Sequence, residues 1–173
     1  MCQTYKIAIC DDFAADRKYL SSLCERWSRH NCYRIQISEF TSAENFLFYY
    51  AEKKDFDILL LDIEMGAMDG VTMARKLRQD NHTVQIIFIT GYADYISDGY
   101  EVDALHYLMK PIQEEKFFTV LDRAVTKLIK NEKVLNIISQ GEMLRLPISQ
   151  INYAEVNSNY ITIHSQQTIT LKM

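Results

Sequence analysis

Acidic residues close two of the apolar runs in this sequence: Asp11 and Asp12 follow KIAIC, and Asp62 follows ILLL. Thr90 ends a third run, QIIFI, and Lys110 follows HYLM. If these runs are strands lying near one another, three carboxylates, a hydroxyl and an ammonium converge on one pocket. Two carboxylates about 4 Å apart repel by roughly 4 kcal/mol at an effective dielectric of 20, and a third makes this worse. The cluster calls for a divalent cation. Mg²⁺ suits it, because that ion prefers few carboxylates, a backbone carbonyl and several waters that a phosphate oxygen can replace. In this reading Asp12 and Asp62 are direct ligands, Asp11 acts through water, and the backbone carbonyl of Glu64 completes the protein's share. With the metal drawing charge from an incoming phosphoryl group, the free oxygen of Asp62 is an adequate nucleophile toward phosphorus, and the product is an acyl phosphate. Lys110 can neutralise one phosphoryl oxygen and Thr90 can donate a hydrogen bond to another, so both would sense the modification. Gly91 leaves room beside the pocket. Taken singly, each residue has an ordinary explanation as a solvated loop, a strand terminus or a surface charge; the ordered set is what points to chemistry.

Up to about residue 131, short apolar runs alternate with amphipathic stretches, the pattern of a parallel sheet covered by helices on both faces. The expected strands are Lys6 to Cys10, Arg34 to Phe40, Ile58 to Asp62, Gln85 to Thr90 and His106 to Leu108. Between the first two, Leu20, Leu23, Cys24 and Trp27 recur at steps of three and four, which predicts a helix with one buried face. Thr41 with Glu44 fits a capping box ahead of a helix through Phe46, Leu47 and Tyr50. Asp69 and Gly70 precede a third helix carrying Val71, Ala74 and Leu77. A weaker helix is expected around Ala93 to Tyr100, and Gln113 to Asn131 carries Phe117, Leu121, Ala124 and Leu128 as the last.

After Asn131 the period changes. Val134 to Ser139, Met143 to Leu146, Ile151 to Val156, Tyr160 to His164 and Thr168 to Lys172 read as strands, separated by Gln140-Gly141, Asn157-Ser158-Asn159 and Gln166-Gln167. The expected division is therefore 1–131 and 132–173. The second, all-strand unit stops directly after a strand, which leaves an edge uncovered and suggests an incomplete module. Alternation puts Ile151 and Tyr153 on a packed face; His164 has no evident role.

The chain has 173 residues, a formal net charge of −4 and four cysteines. Balanced apolar and charged content makes it globular rather than disordered, and its charge argues against nonspecific nucleic-acid binding by the chain as a whole. No run of about 18 apolar residues occurs, and MCQTYKIAICDD lacks the basic and then apolar signature of a secretory leader, so a cytoplasmic location is expected. Cys2, Cys10, Cys24 and Cys32 show no paired CxxC spacing and are expected as reduced thiols. Cys24, His30 and Cys32 lack a fourth ligand for a metal site.

The segments KIAICDD, DILLLDIEMGAMDG, IIFITGY and HYLMKP, in that order and spacing, resemble the receiver domain of bacterial two-component response regulators over about residues 5 to 130. The resemblance implies a five-stranded flavodoxin-like α/β fold, Asp62 as phosphoacceptor, a sensor histidine kinase as phosphodonor, and slow self-catalysed hydrolysis, which is signalling rather than enzymatic turnover. It also implies that Thr90 and Tyr107 reorient on phosphorylation, moving the surface built from the fourth helix, fifth strand and fifth helix, and that the Lys110-Pro111 bond is cis. Two residues depart from the pattern. Phe13 stands where such receivers often carry a third acid, and Gly66 stands where a proline commonly follows, which should loosen the loop after Asp62.

GYEVDALHYLMKPI with LPISQINYAEVNSNYITIHS narrows the resemblance to regulators whose output is a LytTR-type DNA-binding domain, which implies dimerisation on phosphorylation and control of transcription. Only the first half of that output is recognisable. Residues 134–173 set Arg145 and Lys172 against Glu142 and Glu155, a net of zero, so DNA contact is expected of the full-length output and not of this chain. The alternatives are a receiver acting alone through protein contacts, or a phosphatase of the haloacid dehalogenase type with Glu64 two residues beyond the nucleophile; the rest of the latter motif is absent. A flavin or nucleotide binder on the same fold lacks a glycine-rich strand-to-helix loop.

Overall fold

The computed structural model describes residues 4–91, 101–131, 134–139, 142–148, 151–165 and 168–172. The chain divides into two compact units, Met1–Leu128 and Ile129–Met173. The first alternates β1 (Thr4–Cys10), α1 (Ala14–Asn31), β2 (Arg34–Phe40), α2 (Ala43–Glu52), β3 (Ile58–Leu61), α3 (Gly70–Asp80), β4 (Gln85–Thr90), β5 (His106–Met109) and α4 (Glu114–Asn131). The five strands form one parallel sheet in the order β2-β1-β3-β4-β5, a doubly wound, flavodoxin-like α/β architecture. The expected strands are all present, with Asp62 falling one residue beyond β3. The helix expected around Ala93 to Tyr100 lies outside the described residues.

Both faces of the sheet are covered, so the inner strands β3 and β4 are buried along their whole length and almost wholly apolar. Ala8, Cys10, Leu59, Leu61, Ile86 and Phe88 face α2 and α3, where Phe46, Tyr50, Met73 and Leu77 close one core. Ile7, Ile9, Ile58, Leu60, Ile87 and Ile89 face the other way, onto Leu20, Leu23, Cys24 and Trp27 of α1 and Phe117, Leu121 and Ala124 of α4. The indole N–H of Trp27, which has no solvent exposure, donates to Asp122 of α4 at 2.9 Å and so joins the two helices of that face.

The cap of α2 differs from expectation. Ser42, not Thr41, is the N-cap: it is extended, and its hydroxyl accepts from the amide of Asn45 at 3.1 Å. With Ala43 as the first helical residue, Glu44 falls one position short of the place from which a carboxylate reaches back to the cap amide. Asp69 caps α3, accepting from the Thr72 amide at 2.7 Å. The Lys110-Pro111 bond is cis.

The second unit consists of an antiparallel hairpin of β6 (Val134–Ser139) and β7 (Glu142–Pro147), and a three-stranded antiparallel sheet of β8 (Tyr153–Asn157), β9 (Tyr160–His164) and β10 (Thr168–Lys172) in the order β10-β9-β8. Asn157 pairs with Tyr160, so Ser158 and Asn159 alone make the turn, with Ser158 at φ 53°. Tyr153 is not on a packed face: it is 56% exposed and stacks on the ring of His164 with centroids 4.2 Å apart. Every residue of β8 is exposed, so alternation there does not separate an inner from an outer side. His164 gains a place from the same contact, with Nε2 2.8 Å from Glu155 Oε1.

Candidate functional site

The carboxyl ends of the strands are fixed by backbone hydrogen bonds that run one residue past the ladders. The amide of Asp11 donates to the Phe40 carbonyl at 3.2 Å, that of Asp62 to Cys10 at 2.9 Å, and that of Lys110 to Thr90 at 2.9 Å. Each candidate residue is thus tied to the last residue of a neighbouring strand. β1 is the point where the winding reverses, since its neighbours are β2 on one side and β3 on the other; a doubly wound sheet opens its crevice there.

Carboxylate oxygens of Asp11, Asp12 and Asp62 all lie within 4.8 Å of one another. Asp11 and Asp62 are buried at 1% and 8% exposure, and Asp12 is exposed. One oxygen of Asp11 accepts from the amide of Phe13 at 2.8 Å, and one of Asp62 accepts from the amide of Ile63 at 2.7 Å. Their second oxygens share the ammonium of Lys110, at 2.9 Å from Asp11 and 2.8 Å from Asp62. Burial works against that ammonium, yet its hydrogen bonds to Asp16, Asp62 and Asp11 outweigh burial and hold its pKa above the ordinary value. Burial pushes Asp11 above the ordinary carboxylate range, and the bonds from Lys110 and Phe13 offset this only in part.

An open cleft of about 800 Å³ lies over the cluster, lined by Asp12, Phe13, Asp16, Asp62, Glu64, Met65, Gly66, Asp69, Gly91 and Lys110. Glu64 and Gly91 therefore border the same space as Asp62. Thr90, fully buried, ends β4; Tyr107 pairs with Phe88 across β4 and β5, and its half-buried ring lies 6.0 Å from the Phe88 ring. Because Thr90 is two residues on from Phe88, Thr90 and Tyr107 belong to the same face of the sheet.

Two glycines shape the floor. A Cβ on Gly70 would overlap the backbone carbonyl oxygen of Asp62, and the Gly70 amide donates to the Ile63 carbonyl at 2.8 Å. Gly66 has φ +48°, a left-handed conformation closed to the proline of the family pattern, so this glycine serves a defined bend in the loop after Asp62.

Sequence reasoning overlooked Asp16. In the first turn of α1, it places its carboxylate 2.6 Å from the Lys110 ammonium. The signal was available: an acid in the first helical turn after a strand whose end already carries two carboxylates faces the same crevice. Arg17, one residue on, donates to the Asp11 carbonyl at 2.7 Å and also lies 3.6 Å from Glu39. Cys24 is buried and Cys32 exposed, and both are free, as is the buried Cys10. Among the described residues, Asp11, Asp12 and Asp62 are the acidic group with metal-holding geometry. Its donors are all oxygens, the set a hard cation such as Mg²⁺ takes, and four acids around one ammonium leave negative charge to be met.

Residues 7–122 match the response regulator receiver domain, and the chain belongs to that family. It is 28% identical over 162 residues to the transcriptional regulatory protein NatR of Bacillus subtilis, covering 91% of this chain and 66% of that protein. It is 32% identical over 126 residues to the sensory transduction protein LytR of Streptococcus agalactiae, covering 72% of this chain and 48% of that protein. The response regulatory domain of protein mrkE from Klebsiella pneumoniae superposes with a TM-score of 0.66 at 25% identity, over 73% of this chain and 99% of that one. The chain spans about half to two thirds of the curated relatives it matches.

Proposed function

We propose that Asp62 accepts a phosphoryl group from a sensor histidine kinase and that the receiver unit thereby works a switch on transcription. The observation that carries this is the meeting of the Asp11, Asp12 and Asp62 carboxylates within 4.8 Å, with Lys110 2.8 Å from Asp62. Asp11, Asp12, Asp62 and the Glu64 carbonyl would hold Mg²⁺, which supplies charge neutralisation for the incoming phosphoryl group. The Asp62 carboxylate, with one oxygen held by the Ile63 amide and the other by Lys110, attacks phosphorus through one of these oxygens; a P–O bond forms as the donor's P–N bond breaks, and the donor imidazole leaves with the electron pair. Lys110 then balances charge on the phosphoryl oxygens. Thr90, at the end of β4, donates to another, and Tyr107, on the same sheet face, follows it inward.

The product is an acyl phosphate that persists until water removes it, so the protein is a phosphoacceptor and not a turnover enzyme. Residues 1–131 make up the receiver. Residues 132–173 form the beginning of a LytTR-type output; the protein would dimerise on phosphorylation and bind DNA through its full-length output domain. Among the described residues no helix is long and apolar enough to cross a membrane; we place the protein in the cytoplasm, where its kinase's donor domain would meet it. The reading is tested by titrating the chain with beryllofluoride and Mg²⁺. Saturable shifts around Asp62, lost in Asp62→Asn, are expected; an unchanged response in that variant would refute it.

A further inference from the structure

Building on the phosphoacceptor reading, we propose that Asp16 is a competing partner for Lys110, holding its ammonium until a phosphoryl oxygen displaces it. An ammonium carries three N–H bonds. Those of Lys110 are spent on three carboxylates: Asp16 at 2.6 Å, Asp62 at 2.8 Å and Asp11 at 2.9 Å. A phosphoryl group arriving at Asp62 is gripped by Lys110 only when one of these bonds is given up.

Exposure decides which one goes. Asp62 spends its charge on the phosphoryl group it accepts, and of the two partners that stay charged Asp11, with a side chain 1% exposed, cannot exchange the ammonium for water without a large desolvation penalty. The side chain of Asp16 is 41% exposed and can be rehydrated where it stands. Asp11 therefore remains the fixed tether of Lys110, and Asp16 is the partner that yields.

Position gives the exchange a structural consequence. Asp16 belongs to the first turn of α1, whereas Lys110 lies in the loop between β5 and α4. The pair borders both the cleft over Asp62 and a second recess of about 510 Å³ lined also by Tyr19, Leu20, Pro111 and Ile112. When Lys110 turns to the phosphoryl group, this tie between α1 and the loop after β5 is released. Asp16 thus sets how strongly the resting state opposes phosphorylation, acting through Lys110 as a positioning residue.

The test uses the full chain with beryllofluoride and Mg²⁺ as the probe, followed by NMR titration. Asp16→Asn and Asp16→Ala are expected to tighten apparent affinity by up to about fivefold, the worth of a part-exposed ion pair. Asp16→Glu, which keeps the charge, is expected to stay near the unsubstituted chain. In a Lys110→Ala background Asp16→Asn is expected to change nothing, because the competition runs through Lys110. Unchanged or weakened binding in Asp16→Asn overturns the inference, as does an equal gain in the Lys110→Ala background, which would reduce Asp16 to a through-space charge. Absence of any response in the unsubstituted chain would overturn the functional reading and this inference with it; the Asp16 results overturn the inference alone.

Discussion

Gly70, the first residue of α3, lies against the backbone carbonyl of Asp62 with no room between them for a Cβ. The start of α3 and the loop after Asp62 therefore share one backbone contact, fixed further by the Gly70 amide on the Ile63 carbonyl. Gly70→Ala is expected to lower stability by about 1–3 kcal/mol, the usual range for overpacking a tight contact. It should also shift the backbone resonances of Asp62. Gly66→Ala has open space around its Cβ but a positive φ, so its cost should be nearer 1 kcal/mol and confined to the loop. Urea unfolding of both variants checks the order, and equal losses would count against the close approach.

Trp27 is the one tryptophan of the chain, and its indole N–H depends on Asp122. Asp122→Ala leaves a buried donor unpaired and is expected to cost about 1–3 kcal/mol, with Asp122→Asn losing less because an acceptor remains. Chemical denaturation followed by Trp27 fluorescence measures both. A neutral Asp122→Ala would show that the α1 to α4 contact is held by apolar packing alone.

Alkaline stability follows from groups whose protons the fold retains. Burial pushes the Cys10 and Cys24 thiols up to about 12 from an ordinary 9.0, and Lys110 is also held above its ordinary value. The folded state thus keeps protons that the unfolded chain releases. Their contribution is whole below about pH 9 and is lost as pH rises toward 12. A Cys10→Ala, Cys24→Ala variant should be less stable at neutral pH, through lost packing, yet show a flatter decline above pH 9 in pH-dependent urea melts. An unchanged slope would contradict the assignment.

Much of this was legible in the residues themselves. Leu20, Leu23, Cys24 and Trp27 read as a buried helical face and are one, and Asp11, Asp12, Asp62, Thr90 and Lys110 read as strand-end groups because runs such as ILLL stop where they begin. What escaped detection depended on local geometry that spacing does not encode. Ser42 replaced Thr41 as a cap because the start of a helix is set to the residue by backbone conformation, and both residues have a hydroxyl. Tyr153 alternates as a core residue would, but β8 is exposed along its length. Gly70 is an ordinary helix-start glycine until the Asp62 carbonyl is placed against it; Asp16, by contrast, was legible as an acid in the first helical turn after Asp11 and Asp12.

The account rests on Asp62, and treatment with a small-molecule phosphodonor such as acetyl phosphate and Mg²⁺, followed by reductive trapping and peptide mass spectrometry, tests it most directly. One phosphoryl group on the peptide carrying Asp62, absent in Asp62→Asn and dependent on Mg²⁺, is the predicted result. Modification at another residue, or undiminished labelling of Asp62→Asn, would contradict it.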